Sequence, residues 1–396
     1  MKNKKIIALA ILGISGILFS TISFDSVLAQ GNFQSKRKIV VFKDKFDTNK
    51  NDQIVANVGG KKIKDLKLIG GSVVLLDQVA EKKIEENPAV LRIDEDLIVS
   101  ALGKSKFISA PKEQIIPWGI SQINADFGWK NYIENNSVKV GIIDTGISNS
   151  HLDLKVSGGV NTINSLKSWN DDNGHGSHVA GIVGATDNKI GVIGVAPKVV
   201  ELYAIKVLNS KGSGYLSDII KGLDWAIKEN IQVVNMSLGS SSGNDSFHEA
   251  IQNTKAKGIT IVAAAGNSSG AVSYPAAYEE VIAVSATDSS NYIADFSSRG
   301  SEVDLAAPGV SIYSTYKGTS YATLSGTSMA APHATGVVAL IINSNNCDYD
   351  KNLNCSLEEI QKKLQDSATD IGELGRDDNF GYGLVNVEEA IAPISN

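Results

Sequence analysis

Residues 324–342 of the chain read LSGTSMAAPHATGVVALII, and the fold is organised around this stretch. Its second half is apolar on every side and rich in small residues, which is typical of a helix buried in a large domain. Ser328 falls in the first turn of that helix, where backbone N–H groups lack internal partners and the dipole is positive. Pro332, about one turn later, removes a bond to the Ser328 carbonyl and predicts a bent start. The stretch fits either a nucleophilic serine or a capped core helix.

Apolar strands alternate with helical segments through the middle of the chain. We predict strands at 138–143, 199–207, 232–236, 260–265 and 281–286, and helices at 177–183, 216–229 and 247–257. Near-continuous apolar strands separated by helices indicate a parallel sheet that is covered on both faces. The prediction is an α/β fold with a mostly parallel sheet flanked by helices. Functional side chains are then expected at the carboxyl ends of the strands.

A smaller unit precedes this domain. Residues 36–102 predict a compact α+β unit with strands at 38–43, 70–76 and 90–93 and a helix at 79–86. Residues 103–117 contain glycine, serine and proline without a regular apolar pattern. We therefore expect an irregular linker and a domain boundary there.

The first 29 residues carry the features of an export signal. A positive start at residues 1–5 is followed by a short apolar run at 6–19 and by small residues before Gln30. A membrane anchor is the alternative, but the run is short and interrupted by glycine and serine. We expect a signal peptide over residues 1–29 and a secreted protein whose mature form has no membrane anchor.

The charge is divided unevenly along the chain. Residues 1–102 contain 16 Lys+Arg and 12 Asp+Glu, whereas residues 103–396 contain 21 Lys+Arg and 31 Asp+Glu. The formal net charge of −6 therefore hides a basic leader and an acidic body. This pattern predicts two parts that attract each other, and it argues against nucleic acid as the partner of the body.

Four polar residues stand where predicted strands end or helices begin: Asp144, His175, Asn267 and Ser328. Acyl transfer needs a nucleophile, a base, an acid that orients the base, and donors for the oxyanion. Each residue alone could be a cap or turn residue, but together and in this order they indicate catalysis. His178 forms an H-x-x-H pair with His175, but no glutamate follows as in a zinc-protease helix, so we interpret His178 as structural.

Three motifs resemble those of the subtilisin-type serine proteases. They are residues 143–146 (IDTG), 174–181 (GHGSHVAG) and 326–333 (GTSMAAPH), in the Asp, His, Ser order established for subtilisin itself. The resemblance covers essentially the whole chain. It implies a self-processing zymogen with a signal peptide at 1–29, a propeptide at 30–102 that acts as chaperone and inhibitor, and a catalytic domain at 103–396.

The resemblance also implies the role of each site residue. Ser328 would be the nucleophile, His175 the base and then the acid, and Asp144 the group that orients the imidazole ring. Asn267 would hold the oxyanion together with the Ser328 N–H. Ser177 replaces the threonine usual at that position in the family, a mild change that leaves the chemistry intact.

The substrate cleft implied by the resemblance lies between two strand edges that pair with the main chain of the substrate. The two edges and the first specificity pocket are formed by Gly212, Ser213, Gly214, Ser237, Leu238, Gly239, Gly266 and Ser273. Main-chain pairing predicts broad specificity for polypeptides. The pocket offers no acid, so we expect large apolar or aromatic residues before the cut. A preference for basic residues is the alternative.

The same resemblance predicts where the chain cuts itself. Residues 93–102 would be the tail of the propeptide and lie in the cleft, so cleavage is expected between Leu102 and Gly103. Leu102 would fill the first pocket and Val99 the fourth. Residues 103–112 are longer than the usual start of a mature chain, which leaves the final N-terminus open.

Calcium is the cofactor that the resemblance implies. The strong site of the family maps onto oxygen atoms of Gln114, Asp153, Thr186, Asn188, Ile190 and Val192. A polar surface loop is the alternative. A weaker cation site would use carbonyl groups of Ala276, Tyr278 and Val281 with Glu302 or Asp304.

Residues 345–357 depart from the family pattern. This insertion contains Cys347 and Cys355, which could pair in an oxidising compartment or remain free thiols. The ligand spacing of a calcium loop is matched by Asp348, Asp350, Asn352, Asn354, Ser356 and Glu359, but Leu353 stands where such a loop needs glycine. Ser356 and Glu359 also form a capping box. We favour a disulfide-closed, capped turn over a calcium site.

The expected function is therefore a secreted, calcium-stabilised, monomeric serine endopeptidase. It would act on polypeptides and be inhibited by its own propeptide. One alternative is a catalytically silent binding protein on the same fold, and the other is a latent complex whose propeptide stays bound. Silent relatives usually lose a triad residue, and this sequence retains all three.

Overall fold

The computed structural model describes residues 35–108, 111, 113–352 and 355–394, so the predicted signal peptide lies outside the described residues. The elements are, in chain order, β1 (Lys36–Phe42), α1 (Thr48–Asn57), β2 (Lys61–Leu66), β3 (Gly71–Leu76), α2 (Gln78–Glu85), β4 (Val90–Glu95), β5 (Ile98–Ala101), β6 (Lys104–Ile108), α3 (Trp118–Gln122), α4 (Ala125–Lys130), β7 (Val138–Asp144), β8 (Val156–Asn161), α5 (His175–Gly184), β9 (Val200–Lys206), β10 (Ser213–Tyr215), α6 (Leu216–Lys228), β11 (Val233–Met236), β12 (Leu238–Gly239), α7 (Asp245–Lys255), β13 (Thr260–Ala264), β14 (Ile282–Thr287), β15 (Val303–Pro308), β16 (Ile312–Thr315), β17 (Tyr321–Ser325), α8 (Thr327–Ser344), α9 (Leu357–Asp366) and α10 (Val387–Ile391). None of the helices in these ranges is long and apolar enough to cross a membrane.

A seven-stranded sheet forms the centre of the larger part of the chain. Its strand order is β15-β14-β13-β11-β7-β9-β8, and every neighbouring pair is parallel. On β7, Val140 and Ile142 join the hydrophobic cluster of α5 and α8, whereas Ile143 joins the cluster of α6 and α7. Helices therefore cover both faces of a parallel sheet, and the predicted α/β fold is confirmed.

Helix α8 is buried along nearly its whole length, as its lack of a polar face predicts. Pro332 lies inside the helix and has no N–H to donate to the Ser328 carbonyl. The hydroxyl of Ser237 donates to that carbonyl oxygen instead, over 2.8 Å. The Ser328 carbonyl, which Pro332 leaves without a helical donor, therefore links the start of α8 to Ser237, the residue after β11.

The N-terminal unit is an antiparallel sheet of order β2-β3-β1-β4. On β1, Val40 and Phe42 pack against α1 and α2, whereas Ile39 and Val41 belong to the cluster that contains α6 and α7. Both faces of β1 are therefore buried, which explains its uninterrupted apolar run. Residues 35–396 form one compact body.

The segment after Leu102 differs from the irregular linker that we expected. Lys104–Ile108 forms β6, which pairs antiparallel with β17. The expectation was wrong for these residues because the strand depends on a partner far away in the sequence rather than on a local apolar pattern.

The insertion is closed by a disulfide between Cys347 and Cys355, so the alternative of free thiols is wrong. Ser356 accepts from the Glu359 N–H, and the Glu359 carboxylate accepts from the Ser356 N–H, which completes the predicted capping box at the start of α9. The insertion is therefore a covalently closed turn that leads directly into a capped helix.

Candidate active site

Asp144 ends β7 and His175 begins α5, and the two side chains meet in the protein interior. His175 Nδ1 lies 2.9 Å from both carboxylate oxygens of Asp144. The approach is close because residue 176 is glycine: a Cβ at Gly176 would lie 2.2 Å from the Gly146 carbonyl oxygen. Any side chain there would push α5, and with it the imidazole, away from Asp144.

A second buried carboxylate, Asp171, supports this pair. One of its oxygens accepts from the Thr145 hydroxyl (2.9 Å) and the Gly174 N–H (2.8 Å). The other accepts from the N–H and the hydroxyl of Ser177. Asp171 thus joins the residue after Asp144 to the first turn of α5. Our reading of the sequence missed it, although an acid just before a predicted helix start is a recognisable signal.

The surroundings of His175 raise its pKa above the ordinary value. Burial alone would lower the pKa, but the Asp144 carboxylate, with smaller contributions from Asp171 and the Leu102 backbone, more than offsets the burial. By contrast, burial lowers the pKa of His178 to about 3. His178 Nε2 contacts two carbonyl oxygens, of Ile312 and Ala322, which agrees with a structural role.

Ser328 lies in the first turn of α8, and its hydroxyl is bonded to a backbone carbonyl group. Ser328 Oγ donates to the Ser237 carbonyl oxygen over 3.0 Å, rather than to the imidazole. His175 Nε2 is buried and forms no hydrogen bond of good geometry within the described part of the chain, although the Leu102 backbone lies close enough to affect the His175 pKa. To face His175, the Ser328 hydroxyl would have to give up its bond to the Ser237 carbonyl oxygen.

Asn267 follows β13 and lies beside the start of α8. Its Oδ1 accepts from the N–H (2.9 Å) and the hydroxyl (2.8 Å) of Thr327, which fixes the orientation of the amide. Its Nδ2 faces the space in front of Gly326: a Cβ at Gly326 would lie 2.9 Å from this nitrogen and 2.5 Å from the Leu102 carbonyl oxygen. The carbonyl of Leu102 and the amide of Asn267 therefore share one space.

Residues 98–101 of the chain lie between the two segments that were predicted to line the substrate cleft. Strand β5 lies between β10 and β12 and pairs antiparallel with both. Ser100 and Val99 lie opposite Ser213 and Gly214, and the Ala101 N–H donates to the Gly212 carbonyl. On the other side, Leu238 and Gly239 lie opposite Ala101 and Ser100.

The side chain of Leu102 lies next to residues that were predicted to form the first pocket. A Cβ at Gly239 would lie 3.1 Å from Leu102 Cδ1 and 3.3 Å from Ser273 Cβ, and a Cβ at Gly266 would lie 2.5 Å from Ser273 Oγ. Glycine at position 239 therefore leaves room for the leucine side chain, whereas glycine at position 266 allows the close approach of Ser273. Val99 is 1% exposed and belongs to the cluster of α6 and α7.

The residues of the expected calcium site converge in the loop after α5. Gln114 Nε2 donates to the carbonyl oxygens of Thr186 (2.7 Å) and Val192 (3.1 Å). Asn188 Nδ2 donates to Asp153 Oδ1 over 3.0 Å, and Ile190 N–H donates to Asn188 Oδ1. Asp153 is fully buried and also accepts from the Val192 N–H and the Tyr321 hydroxyl. Oxygen-bearing groups of the right kind are therefore gathered at one place.

The weaker cation site has less support. The Tyr278 carbonyl accepts from the Val281 N–H, and the half-buried Asp304 carboxylate accepts from the Ala283 N–H. Two glutamine side chains of α9 also donate to Asp304. The Tyr278 carbonyl and the Asp304 carboxylate therefore already accept hydrogen bonds from the protein, which leaves them less suited to bind a cation.

In the insertion, carboxylate oxygens of Asp348, Asp350 and Glu359 lie within 4.8 Å of one another. Glu359 accepts from the N–H groups of Tyr349, Asp350 and Ser356. Asn354 of the expected calcium loop lies outside the described residues. The capping and turn hydrogen bonds account for the position of Glu359.

Comparison with known proteins gives the family. Residues 135–383 match the model of the subtilase family. The chain is 38% identical to subtilisin J of Geobacillus stearothermophilus and to subtilisin E of Bacillus subtilis strain 168, over 98% of this chain and 100% of each relative. It is 47% identical to subtilisin DY of Bacillus licheniformis, over 70% of this chain and 99% of that protein. The chain therefore belongs to the subtilase family and is a secreted serine endopeptidase.

Proposed function

We propose that Ser328, His175 and Asp144 form the catalytic triad of this endopeptidase, and that its first substrate is its own Leu102–Gly103 bond. One observation carries the proposal. The Leu102 carbonyl lies between the amide of Asn267 and the His175 ring, in a segment paired on both sides by β10 and β12. This is the environment that acyl transfer requires of a bond about to be cut.

The chemistry follows from these positions. The Ser328 hydroxyl turns from Ser237 to His175 Nε2, gives its proton to that nitrogen, and attacks the Leu102 carbonyl carbon. Asn267 Nδ2 and the Ser328 N–H stabilise the oxyanion, while Asp144 stabilises the imidazolium. His175 then donates the proton to the departing Gly103 nitrogen, and a water molecule releases Leu102 as a carboxylate.

The test compares refolded wild type with Ser328→Ala. Mass spectrometry follows the cleavage after Leu102, and an apolar chromogenic peptide reports turnover. Wild type should cleave itself and then hydrolyse the peptide, whereas Ser328→Ala should do neither. Ser344→Ala, at the far end of α8, is the matched control and should behave like wild type. A wild type that never cleaves would indicate the silent binding protein. Self-cleavage without peptide turnover would indicate the latent complex.

The surroundings of Leu102 support a preference for large apolar residues before the cut. Its side chain lies beside Gly239, where an added Cβ would come within 3.1 Å of Leu102 Cδ1, and it packs against the hydrophobic cluster of α5 and α8. An apolar pocket discriminates against a basic side chain because a buried, unpaired ammonium or guanidinium is costly. Peptides with leucine at this position should therefore be cut faster than the same peptides with lysine or arginine.

We also propose that residues 30–102 are an inhibitory propeptide, removed from a precursor whose residues 1–29 direct export. Two acids of the N-terminal unit lie at helix starts of the catalytic part. Asp96 accepts from the Ser217 N–H (2.9 Å) at the start of α6, and Asp94 accepts from the Ser246 N–H (3.1 Å) at the start of α7. Carboxylates at these ends are favoured by the free N–H groups and by the helix dipole.

Basic residues of the same unit meet acids of the body, as the uneven charge of the sequence predicts. Arg92 and Lys45 each lie 2.6 Å from Glu249 of α7, and Lys64 pairs with Asp218 of α6. Glu249 thus bonds two cations, and their contacts lower its pKa although burial alone would raise it. These pairs support a propeptide that stays bound after the connecting bond is cut.

Calcium is the cofactor that we propose for the loop after α5. The donor set fits, since Gln114, Asp153, Asn188 and the carbonyls of Thr186 and Val192 are oxygen ligands gathered around one point. The amide nitrogen of Gln114 satisfies two carbonyl oxygens in the manner of a cation, and a half-turn of the amide would present its oxygen instead. Ile190 would contribute its carbonyl. Bound calcium would stabilise the fold rather than take part in the reaction.

Titration calorimetry on the Ser328→Ala protein tests this site. Asn188→Ala should remove one bound calcium ion and lower the thermal midpoint in calcium but not in chelator. Asp348→Ala/Asp350→Ala is the matched control in the insertion and should leave the number of bound ions unchanged. Loss of an ion from the insertion variant alone would assign calcium to that loop instead.

A further inference from the structure

We propose that residues 104–108 of this chain stay paired with the edge of β17 as an inhibitory strand after the Leu102–Gly103 bond is cut, and that they exclude a longer substrate's residues from the second to the sixth after its own cut. Cleavage of the Leu102–Gly103 bond does not remove this strand. The inference rests on the proposed self-cleavage at that bond.

The pairing begins next to the reaction centre. Strand β6 lies on the outer side of β17 in a sheet of order β16-β17-β6. Lys104 lies opposite Ser325, and the register continues to Ile108 opposite Tyr321. Ser325 is three residues before Ser328 in the sequence. Without β6, this edge of β17 would present unpaired N–H and carbonyl groups beside the nucleophile, which is a template for any extended peptide.

Hydrolysis leaves these contacts intact. Breaking the Leu102–Gly103 bond consumes one water and produces a carboxylate on Leu102 and an amine on Gly103. The carboxylate belongs to the segment held by β10 and β12, whereas the amine belongs to the segment held by β17. No hydrogen bond between β6 and β17 is broken by the reaction.

The same segment is anchored a second time, a few residues further on. Gln114 N–H donates to the Lys189 carbonyl (3.1 Å), and Ile115 N–H donates to the Gly191 carbonyl (2.9 Å). A strand tethered this closely has an effective concentration in the millimolar range, well above that of a typical substrate. The new N-terminal strand therefore competes with every substrate that extends beyond the cut, until it is trimmed or displaced.

Two substrates separate this effect from catalysis itself. Both carry the sequence Ile-Val-Ser-Ala-Leu before the cut. One ends in a 4-nitroanilide directly after leucine, and the other continues for six residues in an internally quenched peptide. Only the second needs the edge of β17.

The variant Ser105→Pro/Lys106→Pro removes the N–H groups of two adjacent residues. Because adjacent residues of an antiparallel pair alternate in bonding to the partner strand, one of the two removed N–H groups belongs to the ladder. Ser105→Ala/Lys106→Ala keeps both N–H groups and is the matched control. Mass spectrometry reports the N-terminus during every assay.

With Gly103 as the N-terminus, the ratio of kcat/KM for the quenched peptide to that for the anilide should be about tenfold higher in the proline variant than in the other two proteins. Equal ratios in all three proteins would overturn the proposal. Failure of the proposed function is distinct, since the anilide would then not be hydrolysed at all.

Wild-type enzyme that trims itself during the assay gives a second readout. Activity on the quenched peptide should lag until the N-terminus passes Ile108, and full activity before that point contradicts the inference. If trimming is too fast to observe, hydrogen exchange can be measured on proteins that also carry Ser328→Ala and therefore should not cut themselves. Amides of residues 321–325 should exchange faster in the proline variant than in the alanine control, and identical exchange would also overturn the proposal.

Discussion

Two carboxylates act on His175 in different ways. Asp144 touches the ring and stabilises its positive charge, whereas Asp171 fixes the turn on which the ring is mounted and adds a weaker attraction. Both favour the protonated imidazole, and together they outweigh burial, which favours the neutral ring. In the proposed mechanism, the His175 ring must be neutral to accept the Ser328 proton. The pH dependence of self-cleavage should therefore show whether the carboxylates or burial dominate the pKa of His175.

The rate of first self-cleavage in refolded precursor should fall as pH drops, with an apparent pKa above the ordinary histidine value of 6.5. In Asp144→Asn the main attraction is lost and burial dominates, so the apparent pKa should move below 6.5. The rate at its plateau should also fall by about 10⁴-fold, the loss known for this change in another serine protease. Time courses by mass spectrometry between pH 5 and 9 measure both. An unshifted profile in Asp144→Asn would show that another group controls the rate.

At this scale the sequence indicates candidate residues but not the directions of their side chains. Asp144, His175, Asn267 and Ser328 occur in long motifs, and the order of these motifs predicts that the four converge; the Asp144–His175 contact is present in the structure. The Ser328 hydroxyl turns to the Ser237 carbonyl, 91 positions away in sequence, and no local pattern contains that information. Asp171 was missed for a related reason, because its role depends on Thr145 and Ser177 being close together in space.

Among the elements, the central strands of the seven-stranded sheet were predicted from the sequence and the edge strands were not. The five central strands, β14, β13, β11, β7 and β9, were all predicted within a residue or two. The two edge strands, β8 and β15, were not. Edge strands have fewer neighbours and need no continuous apolar run, so β8 contains Gly158 and Gly159 and β15 ends in Pro308. Strand β6 was missed because it is a strand only through its pairing with β17, which is distant in the sequence.

The helix starts of α6 and α7 connect the N-terminal unit to the body. Asp96 accepts from the N–H and the hydroxyl of Ser217 and also pairs with Arg37 at 2.7 Å. A charged hydrogen bond of this kind contributes about 1.5–3 kcal/mol. The acid is buried, so these bonds are shielded from solvent while the N-terminal unit is in place.

Asp96→Asn should therefore shorten the delay between self-cleavage and the appearance of peptide hydrolysis by about tenfold or more, because the cut propeptide dissociates faster. The delay is measured with the anilide substrate after mass spectrometry shows complete cleavage. Asp52→Asn is the matched control, since Asp52 pairs with Lys62 inside the N-terminal unit. A delay that is the same in both variants would mean that the cap at α6 does not retain the propeptide.

Across the whole molecule, burial of neutral histidines sets a limit to acid stability. Helix α8 carries His333 and helix α5 carries His178, and both rings are fully buried against the sheet. Burial lowers the pKa of His333 to about 4, and the same cause lowers that of His178 to about 3. In the unfolded chain these rings would take up protons near the ordinary value of 6.5. The buried histidines of α5 and α8 thus make the free energy of unfolding depend on pH.

The sign of this effect is fixed by the direction of the two shifts. Below pH 6.5 the unfolded state binds more protons than the folded state, so the free energy of unfolding decreases as the solution becomes more acidic. Each histidine contributes a slope of about 1.4 kcal/mol per pH unit until the pH reaches its folded pKa. For His333, with a folded pKa of about 4, the loss between neutral pH and that point amounts to about 3 kcal/mol.

We expect His333→Gln, made in the Ser328→Ala background, to reduce the slope of the unfolding free energy against pH between about pH 6 and 4. The reduction should correspond to one fewer proton taken up on unfolding. Glutamine can still donate to the Met329 carbonyl, which His333 Nδ1 contacts at 2.7 Å, so packing near Gly119 is the main structural change. Urea unfolding at a series of pH values measures the slope, and His248→Gln, at a half-exposed site on α7, is the matched control. Stability at pH 7 falls in His333→Gln through imperfect packing, whereas the difference from the parent narrows as pH decreases. Parallel curves for the two proteins would mean that His333 binds its proton equally well in the folded and unfolded states, and that acid sensitivity comes from other groups.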